Sequence, residues 1–169
     1  SVKKKGWMKM GLFDVFKKKG IVLGSPLEGE CVSLKQVNDP TFSEEILGKG
    51  IAVVPVNGKV YAPADCEITT VFPTGHALGL TTAEGVEILI HIGLDTVKLS
   101  GQHFTIHTET GAKVSKGDLL IEADIEQIKA AGYDVITPMI VCNTSDYASV
   151  EGKTGKTVKP GDDCLEITK

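Results

Sequence analysis

Two histidines on either side of a short polar turn are the residues of this chain best suited to chemistry. His76 and His91 lie at the open end of a predicted β-hairpin. If Ala83 and Glu84 form its two-residue loop, the register places the two histidines directly opposite each other. Their side chains would then share one face of the sheet, with Cβ atoms ~4.5–5.5 Å apart.

The glycine after this loop allows a second register. A three-residue loop that includes Gly85 would shift the pairing by one residue, and the imidazoles would stay close without being strictly paired. In the first register Leu78 opposes Leu89, and both would keep the histidine face partly dry. Thr74 lies two residues before His76, so its hydroxyl is expected on the same face, within reach of a ring nitrogen.

Three interpretations of the histidine pair are open at this point. One imidazole could be a nucleophile that takes a phosphoryl group while the other donates N–H to the phosphoryl oxygens. Histidine suits this chemistry because its usual pKa of ~6.5 leaves a neutral, nucleophilic form at pH 7. The pair could instead be packed strand residues without a chemical role. It could also bind a divalent metal such as zinc, with Asp95, four residues after His91, as a further ligand.

The composition excludes several classes of protein. The chain has 169 residues, of which 41% are hydrophobic and 24% charged, as is ordinary for one soluble globular domain. No apolar stretch approaches the ~18 residues that a membrane-spanning helix needs. All 18 basic residues are lysine. Bidentate arginine contacts to phosphate or to guanine are therefore excluded.

Charge is distributed unevenly along the chain. Residues 1–20 contain seven lysines and one acid, whereas residues 21–169 contain 11 lysines and 21 acids. The acidic charge of residues 21–169 argues against nucleic acid as a partner.

Residues 7–19 place apolar side chains at helical spacing between lysines, which is typical of an amphipathic anchor on anionic lipid or of a disordered leader. Residues 1–9 are interpreted as a tag remnant or the end of a linker, because Met10 could be the natural start.

The cysteines indicate a reducing compartment. They are far apart and include no C-x-x-C pair, which leaves a zinc ribbon or a thioredoxin-type site without support. No segment has the pattern of a secretory signal. We therefore predict four free thiols in the cytoplasm, at Cys31, Cys66, Cys142 and Cys164.

From Ile21 onward the sequence pattern is typical of an all-β protein. Short runs of β-branched residues are broken by Gly, Pro, Asn and Asp every eight to twelve residues. We predict a single antiparallel domain, a β-sandwich or barrel-like fold, over residues 21–169. Asp39–Leu47 and Asp124–Ala131 are expected to be brief helical turns within it.

Two pairs of similar segments within the chain predict a duplicated β motif. Residues 111–122 and 155–166 share one order of features: an aliphatic residue, then a Gly-Asp turn, then a strand. Residues 25–30 likewise resemble residues 62–67. The matched spacing favours a structural duplication over chance recurrence of Gly-Asp turns.

The sequence around the histidines resembles the IIA proteins and domains of the glucose family of the bacterial phosphoenolpyruvate-dependent sugar phosphotransferase system. The resemblance extends from about Ile21 to Lys169. It includes SPLEGECVSLKQVNDPTFSEEILGKGIAV at 25–53 and VFPTGHALGLTTAEGVEILIHIGLDTVKLSG at 71–101. Its most specific element is HIGLDTV with an upstream T-x-H-A. MGLFD at 10–14 also resembles the start of free-standing members, whose N-terminal segment associates with membrane.

This resemblance implies a role for each residue of the site. His91 would accept a phosphoryl group from phospho-HPr and pass it to a cysteine on the IIB domain of a glucose-family sugar permease. His76 would steady the phosphoryl group, and Thr74 and Asp95 would border the site. The resemblance implies no required cofactor, with His76 and His91 as candidate ligands if zinc binds.

The resemblance also implies a surface for protein partners. HPr and the IIB domain would both contact an apolar rim made of Phe42, Ile46, Phe72, Leu78 and Leu89. Regulatory target proteins could bind the same rim. The implied location is the cytoplasm, with weak contact to the inner face of the cell membrane through residues 7–19.

Overall fold

Short strands dominate the structure. The computed structural model describes residues 20–169, and the predicted N-terminal tail (residues 1–20) lies outside these described residues except for Gly20. The strands are β1 (Ile21–Gly24), β2 (Gly29–Ser33), β3 (Lys49–Pro55), β4 (Lys59–Tyr61), β5 (Cys66–Val71), β6 (Ala77–Thr82), β7 (Glu87–His91), β8 (Phe104–Ile106), β9 (Lys113–Val114), β10 (Leu119–Ala123), β11 (Thr137–Val141), β12 (Ser149–Gly152), β13 (Lys156–Val158) and β14 (Asp163–Thr168). They are connected by short α-helices at Pro40–Ser43 and Ile125–Ala130 and by 3₁₀ turns at Leu34–Gln36, Thr96–Leu99 and Thr144–Asp146.

These strands form antiparallel sheets around a common core. The largest sheet has the order β13-β2-β3-β11-β7-β6-β5-β9, and two smaller sheets have the orders β1-β14-β12 and β4-β10-β8. The main core takes apolar side chains from all three sheets, for example Leu23, Ile90 and Leu120. The prediction of an all-β antiparallel sandwich-like domain is confirmed.

The duplicated motif also appears in the backbone. The two repeated segments form β9-turn-β10 and β13-turn-β14, and β9 and β13 are the two edges of the large sheet. In one copy the Gly117 N–H donates to the Ala62 carbonyl at 3.0 Å; in the other the Gly161 N–H donates to the Ser25 carbonyl at 2.9 Å. Both glycines have a positive φ, 92° and 90°, which favours glycine at this point of each turn.

Both predicted helical turns are present, shorter than expected. The side chain of Asp39 accepts a hydrogen bond from the Thr41 N–H at 3.0 Å and so caps the helix Pro40–Ser43. Asp124 caps the second helix in the same way. The first helix matters for the site because it places Phe42 in a second apolar cluster, on the outer face of the large sheet. That cluster comprises Val32, Leu34, Val37, Phe42, Ala52, Leu94, Ile136 and Ile140, with Leu89 packed against it.

The hairpin of β6 and β7 has a three-residue loop, so the two-residue prediction is wrong. Thr82 N–H donates to the Val86 carbonyl at 3.0 Å and closes a loop that includes Gly85. Gly85 has φ +93°, a left-handed conformation that costs glycine little. The register therefore shifts by one residue, and Ala77 lies opposite His91. The second register considered from the sequence is the observed one.

This shift also changes the face on which Leu78 lies. Leu78 pairs with Ile90 and is fully buried in the main core, while Leu89 pairs with Gly79 on the outer face. The predicted pair of Leu78 with Leu89 is wrong. Because alternate strand residues point to opposite faces, a displacement of one residue is enough to move Leu78 out of the histidine face.

Two further expectations concern the cysteines and the membrane. All four cysteines are free, as predicted, and Cys142 alone among them is exposed. Among residues 20–169, no helix is long and apolar enough to cross a membrane.

Candidate functional site

His91 stands at the end of β7, on the outer face of the large sheet. The strand alternates, with Ile88 and Ile90 directed into the main core and Leu89 and His91 directed outward. His91 is half-buried there. The alternation of apolar residues in the sequence is therefore what brings the imidazole to the surface of the sheet.

The segment after β7 fixes one nitrogen of this ring. His91 Nδ1 lies 2.7 Å from the carbonyl oxygen of Gly93. A carbonyl can only accept, so Nδ1 carries the proton and the neutral ring has its lone pair on Nε2. Gly93 has φ +73°, and a Cβ atom there would lie 2.7 Å from the Asp134 carbonyl oxygen and from the side chain of Thr96. Glycine is thus required for this close turn.

The surroundings of His91 favour its neutral form. Burial lowers the pKa of His91 below its usual value of 6.5. The hydrogen bond to the Gly93 carbonyl and the charges of Asp39 and Asp95 oppose this effect and do not cancel it. At pH 7 the ring is therefore uncharged and nucleophilic at Nε2.

His76 lies beside His91 and is more deeply buried. It is 5% exposed, and its carbonyl accepts a hydrogen bond from the Ile92 N–H at 2.7 Å. The predicted contact with threonine is present, with Thr74 Oγ1 2.5 Å from His76 Nδ1. Burial, followed by the proximity of His91, lowers the pKa of His76 to about 4. His76 is therefore also neutral at pH 7.

The two imidazoles are close but not stacked. Their ring centroids are 5.1 Å apart and their planes make an angle of 81°. An aromatic ring stands beside each histidine: Phe42 lies 5.2 Å from His91, and Phe72 lies 5.3 Å from His76, between ring centroids. The two phenylalanines form apolar walls on either side of the pair.

Two aspartates add negative charge near His91. Asp95 has φ +59° and precedes the 3₁₀ turn Thr96–Leu99. Asp39 precedes the helix that carries Phe42. Both carboxylates are near enough to act on the pKa of His91. Asp95 was predicted at the site from the sequence, whereas Asp39 was predicted only as the start of a helical turn.

Two contributors to the site were missed from the sequence. Asp39 approaches His91 because Phe42 anchors its helix on the sheet, a packing contact between segments far apart in the chain. The carbonyl of Gly93 is a backbone group, and the type of a residue does not indicate what its backbone carbonyl contacts. The signal that could have indicated it is the glycine two residues after a strand-end histidine.

The predicted rim residues have different exposures. Ile46 is 68% exposed and Phe72 is 40% exposed, so both offer apolar surface. Leu89 is half-buried on the outer face. Phe42 is 4% exposed, so it lines the site beside His91 and offers little surface to a protein partner. Leu78 is buried in the main core, and its predicted place in the rim is wrong for the register reason given above.

The site offers few ligands for a metal. Within residues 20–169, no group of three or more His, Cys, Asp and Glu side chains is arranged to hold a metal ion. A zinc ion usually needs three or four protein ligands. His76 and His91 would supply two of them, so further ligands would have to come from another molecule.

A family model matches most of the chain. It is described as the phosphoenolpyruvate-dependent sugar phosphotransferase system, EIIA 1, and it matches residues 21–147. Among solved structures, glucose permease IIA from Mycoplasma capricolum superposes with a TM-score of 0.81 at 35% sequence identity. That match covers 88% of this chain and 96% of the other.

Curated relatives include separate proteins and parts of longer ones. The chain is 41% identical over 145 residues to the PTS system glucose-specific EIIA component of Halalkalibacterium halodurans, covering 86% of this chain and 84% of that protein. It is 50% identical over 147 residues to the PTS system beta-glucoside-specific EIIBCA component of Bacillus subtilis, covering 87% of this chain. The chain spans only 24% of the length of that relative.

Proposed function

The chain belongs to the EIIA 1 family of the phosphoenolpyruvate-dependent sugar phosphotransferase system, and on that premise we propose that it carries a phosphoryl group on His91. The donor is phospho-HPr and the acceptor is a cysteine on the IIB domain of a glucose-family sugar permease. The observation that carries this proposal is the hydrogen bond between His91 Nδ1 and the Gly93 carbonyl, since it directs the lone pair of the neutral ring to Nε2.

The proposed transfer proceeds in two displacements. In the first, His91 Nε2 attacks phosphorus, a new N–P bond forms, and the N–P bond of the phosphohistidine donor breaks with its electron pair returning to the donor imidazole. In the second, a cysteine thiolate of the IIB domain attacks, an S–P bond forms, and the His91 Nε2–P bond breaks. His91 is thereby returned to its neutral form.

His76 is proposed to stabilise the phosphoryl group. If Thr74 Oγ1 donates to His76 Nδ1, the proton of this neutral ring resides on Nε2 and can be donated to a phosphoryl oxygen. The low exposure of His76 strengthens such a hydrogen bond, because water competes weakly there. The walls formed by Phe42 and Phe72 support this further by limiting water around both rings.

Both partners are proposed to dock over the histidine pair. The exposed side chains of Ile46 and Phe72 offer apolar contact. Asp39 and Asp95 offer negative charge beside it, which favours a donor with basic residues around its own phosphohistidine. Regulatory proteins could use the same surface. The proposed transfer needs no metal or other cofactor in this domain.

We place the domain in the cytoplasm, where HPr and IIB domains act, with residues 7–19 as a weak anchor on anionic lipid. Deletion of residues 1–19 is expected to lower binding to phosphatidylglycerol vesicles and to leave phosphoryl acceptance unchanged. Vesicle sedimentation measures the first and ³²P transfer the second. Equal vesicle binding by the full and the truncated chain would contradict the anchor.

The proposed function is tested by labelling with ³²P-phosphoenolpyruvate, the general phosphotransferase enzyme and HPr. The parent protein should acquire label that is lost in acid and retained in base, as expected for phosphohistidine, and His91→Ala should acquire none. His107→Ala is the matched control, since His107 lies outside the site and pairs with Glu122 at 3.2 Å. Label on His91→Ala would refute the assignment, and loss of acceptance from preformed, purified phospho-HPr after chelation would favour a metal-dependent site.

A further inference from the structure

We propose that Asp134 is a positioning residue for His91: it holds the Gly93 carbonyl, and through that carbonyl the tautomer of the imidazole. The inference rests on the proposed role of His91 as phosphoryl acceptor. Asp134 lies in the loop between the helix Ile125–Ala130 and β11, more than forty residues from His91 in sequence.

A single peptide group connects the two residues. The carbonyl of the peptide between Gly93 and Leu94 lies 2.7 Å from His91 Nδ1. The N–H of the same peptide donates to the Asp134 carbonyl at 3.0 Å. The peptide is therefore held from both ends, and any rotation that breaks its bond to Asp134 also turns the Gly93 carbonyl away from His91.

Close packing restricts the same peptide further. Gly93 has φ +73°, and an added Cβ atom would approach the Asp134 carbonyl oxygen to 2.7 Å. Asp134 thus lies directly against Gly93 as well as bonding to Leu94. The carbonyl that orients His91 has little freedom as long as the Asp134 backbone keeps its place.

The side chain of Asp134 keeps that backbone in place. Asp134 Oδ1 accepts a hydrogen bond from the Ile136 N–H at 2.9 Å, which closes a local turn. Ile136 is buried, and β11 begins at the next residue. β11 pairs directly with β7, the strand that carries His91. The turn therefore fixes the Gly93 carbonyl relative to the same sheet that fixes His91.

Asp134 acts on His91 by positioning the Gly93 carbonyl, and not through its own charge. The carboxylates whose charge raises the pKa of His91 are Asp39 and Asp95. The Asp134 carboxylate is occupied by the Ile136 N–H, and asparagine can make the same bond through its Oδ1. Asparagine at this position should therefore preserve the function, whereas alanine should not.

The experiment compares Asp134→Ala, Asp134→Asn and Asp95→Asn in the full chain. ¹⁵N shifts of the His91 ring report the populations of the Nδ1–H and Nε2–H tautomers and the pKa, and stopped-flow or quench-flow labelling with phospho-HPr reports the rate of acceptance. For Asp134→Ala we expect a lower Nδ1–H population and acceptance about fivefold slower, the size expected for one lost hydrogen bond. Asp134→Asn should match the parent in both. Asp95→Asn should lower the pKa of His91 and leave its tautomer unchanged.

The outcomes separate this inference from the proposed function. A parent-like tautomer and rate in Asp134→Ala would overturn the inference, and so would equal losses in Asp134→Ala and Asp134→Asn, which would indicate a charge effect. If the parent protein accepts no phosphate, the proposed function fails, and the tautomer measurement still decides whether Asp134 orients the ring.

A measurement on the unmodified protein keeps the inference testable if Asp134→Ala does not fold. Scalar couplings across hydrogen bonds should be detectable between Leu94 ¹⁵N and the Asp134 carbonyl carbon, and between His91 Nδ1 and the Gly93 carbonyl carbon. Detection of both couplings supports the proposed connection from Asp134 through the Gly93–Leu94 peptide to His91. Detection of the His91 coupling without the Leu94 coupling would show that the Gly93 carbonyl is held without Asp134 and would overturn it.

Discussion

The ring of His76 stands almost perpendicular to the ring of His91, at an angle of 81° with 5.1 Å between centroids. The two rings also have different partners at Nδ1, a threonine hydroxyl for His76 and a backbone carbonyl for His91. A hydroxyl can donate or accept, whereas a carbonyl only accepts. The pair is therefore chemically asymmetric, and its two members should respond differently to substitution.

Replacing His76 by alanine should separate acceptance from onward transfer. His91 keeps its bond to Gly93 in this variant, so acceptance from phospho-HPr should stay within severalfold of the parent. Transfer to the IIB domain should slow about 100-fold, the usual loss when one transition-state donor is removed. Quench-flow assays of the two half-reactions measure each rate. Equal effects on both would contradict distinct roles, and His107→Ala provides the baseline.

The buried, neutral state of His76 should make the protein less stable in acid. Its pKa is about 4 in the folded protein and near the usual 6.5 in the unfolded chain, so below pH 6.5 the unfolded chain binds a proton that the folded chain does not. Stability from this source is intact above pH 6.5 and is lost as the pH falls toward 4. Between pH 7.5 and 5 the parent should lose roughly 2 kcal/mol more than His76→Gln.

Urea unfolding at both pH values measures this difference. The comparison uses the change in the free energy of unfolding between the two pH values, and not the absolute stability of either protein. An equal change in parent and variant would show that His76 titrates normally in the folded protein.

Gly85 should be required for stability and not for activity. At φ +93° an alanine is strained, although its Cβ would meet no atom within 4 Å. Gly85→Ala should therefore cost about 1 kcal/mol in the free energy of unfolding and leave phosphoryl acceptance unchanged. Glu84→Ala in the same loop is the control and should change stability little. Two equally stable variants would be inconsistent with the three-residue loop.

The exposed apolar side chains of the predicted rim should contribute to partner binding. Ile46→Ala and Phe72→Ala should each weaken HPr binding about fivefold, near 1 kcal/mol, since truncating a contact at the rim of an interface has a moderate effect. Val22→Ala is the matched control. Val22 is 37% exposed and lies near the Ala83–Glu84 tip of the hairpin, away from its histidine end.

Calorimetric titration with HPr gives the three affinities. Unchanged affinity in both rim variants would place the docking surface elsewhere on the domain. A loss in Val22→Ala as large as in the other two would point to a general effect on folding.

The periodicity of the sequence was enough to predict the fold class and the hairpin that carries the two histidines. Alternation along β7 separates Ile88 and Ile90 from Leu89 and His91, and this pattern is visible without a structure. The register was not determined, because Gly85 fits either a bulged or a tight loop and the flanking residues pair acceptably in both. The displacement of Leu78 into the core followed from that ambiguity.

The site was predictable to the extent that its residues are close in sequence or chemically distinctive. Thr74 and Asp95 lie within four residues of a histidine and were found. Asp39 and Asp134 approach from distant segments through helix packing and a loop turn, and such contacts leave no local pattern. The Gly93 carbonyl is a backbone group, so its role depends on conformation and not on residue type.

The pairing of β1 with β14, which sets Ile21 opposite Ile167, has a consequence for synthesis on the ribosome. Among residues 20–169, β1 is the first strand to be synthesised and its partner β14 is the last. Until β14 appears, β1 has no neighbour within its own sheet, because it is an edge strand there. Completion of this sheet therefore depends on emergence of β14 from the ribosome, and a nascent chain halted before β14 would expose an unpaired strand to other polypeptides.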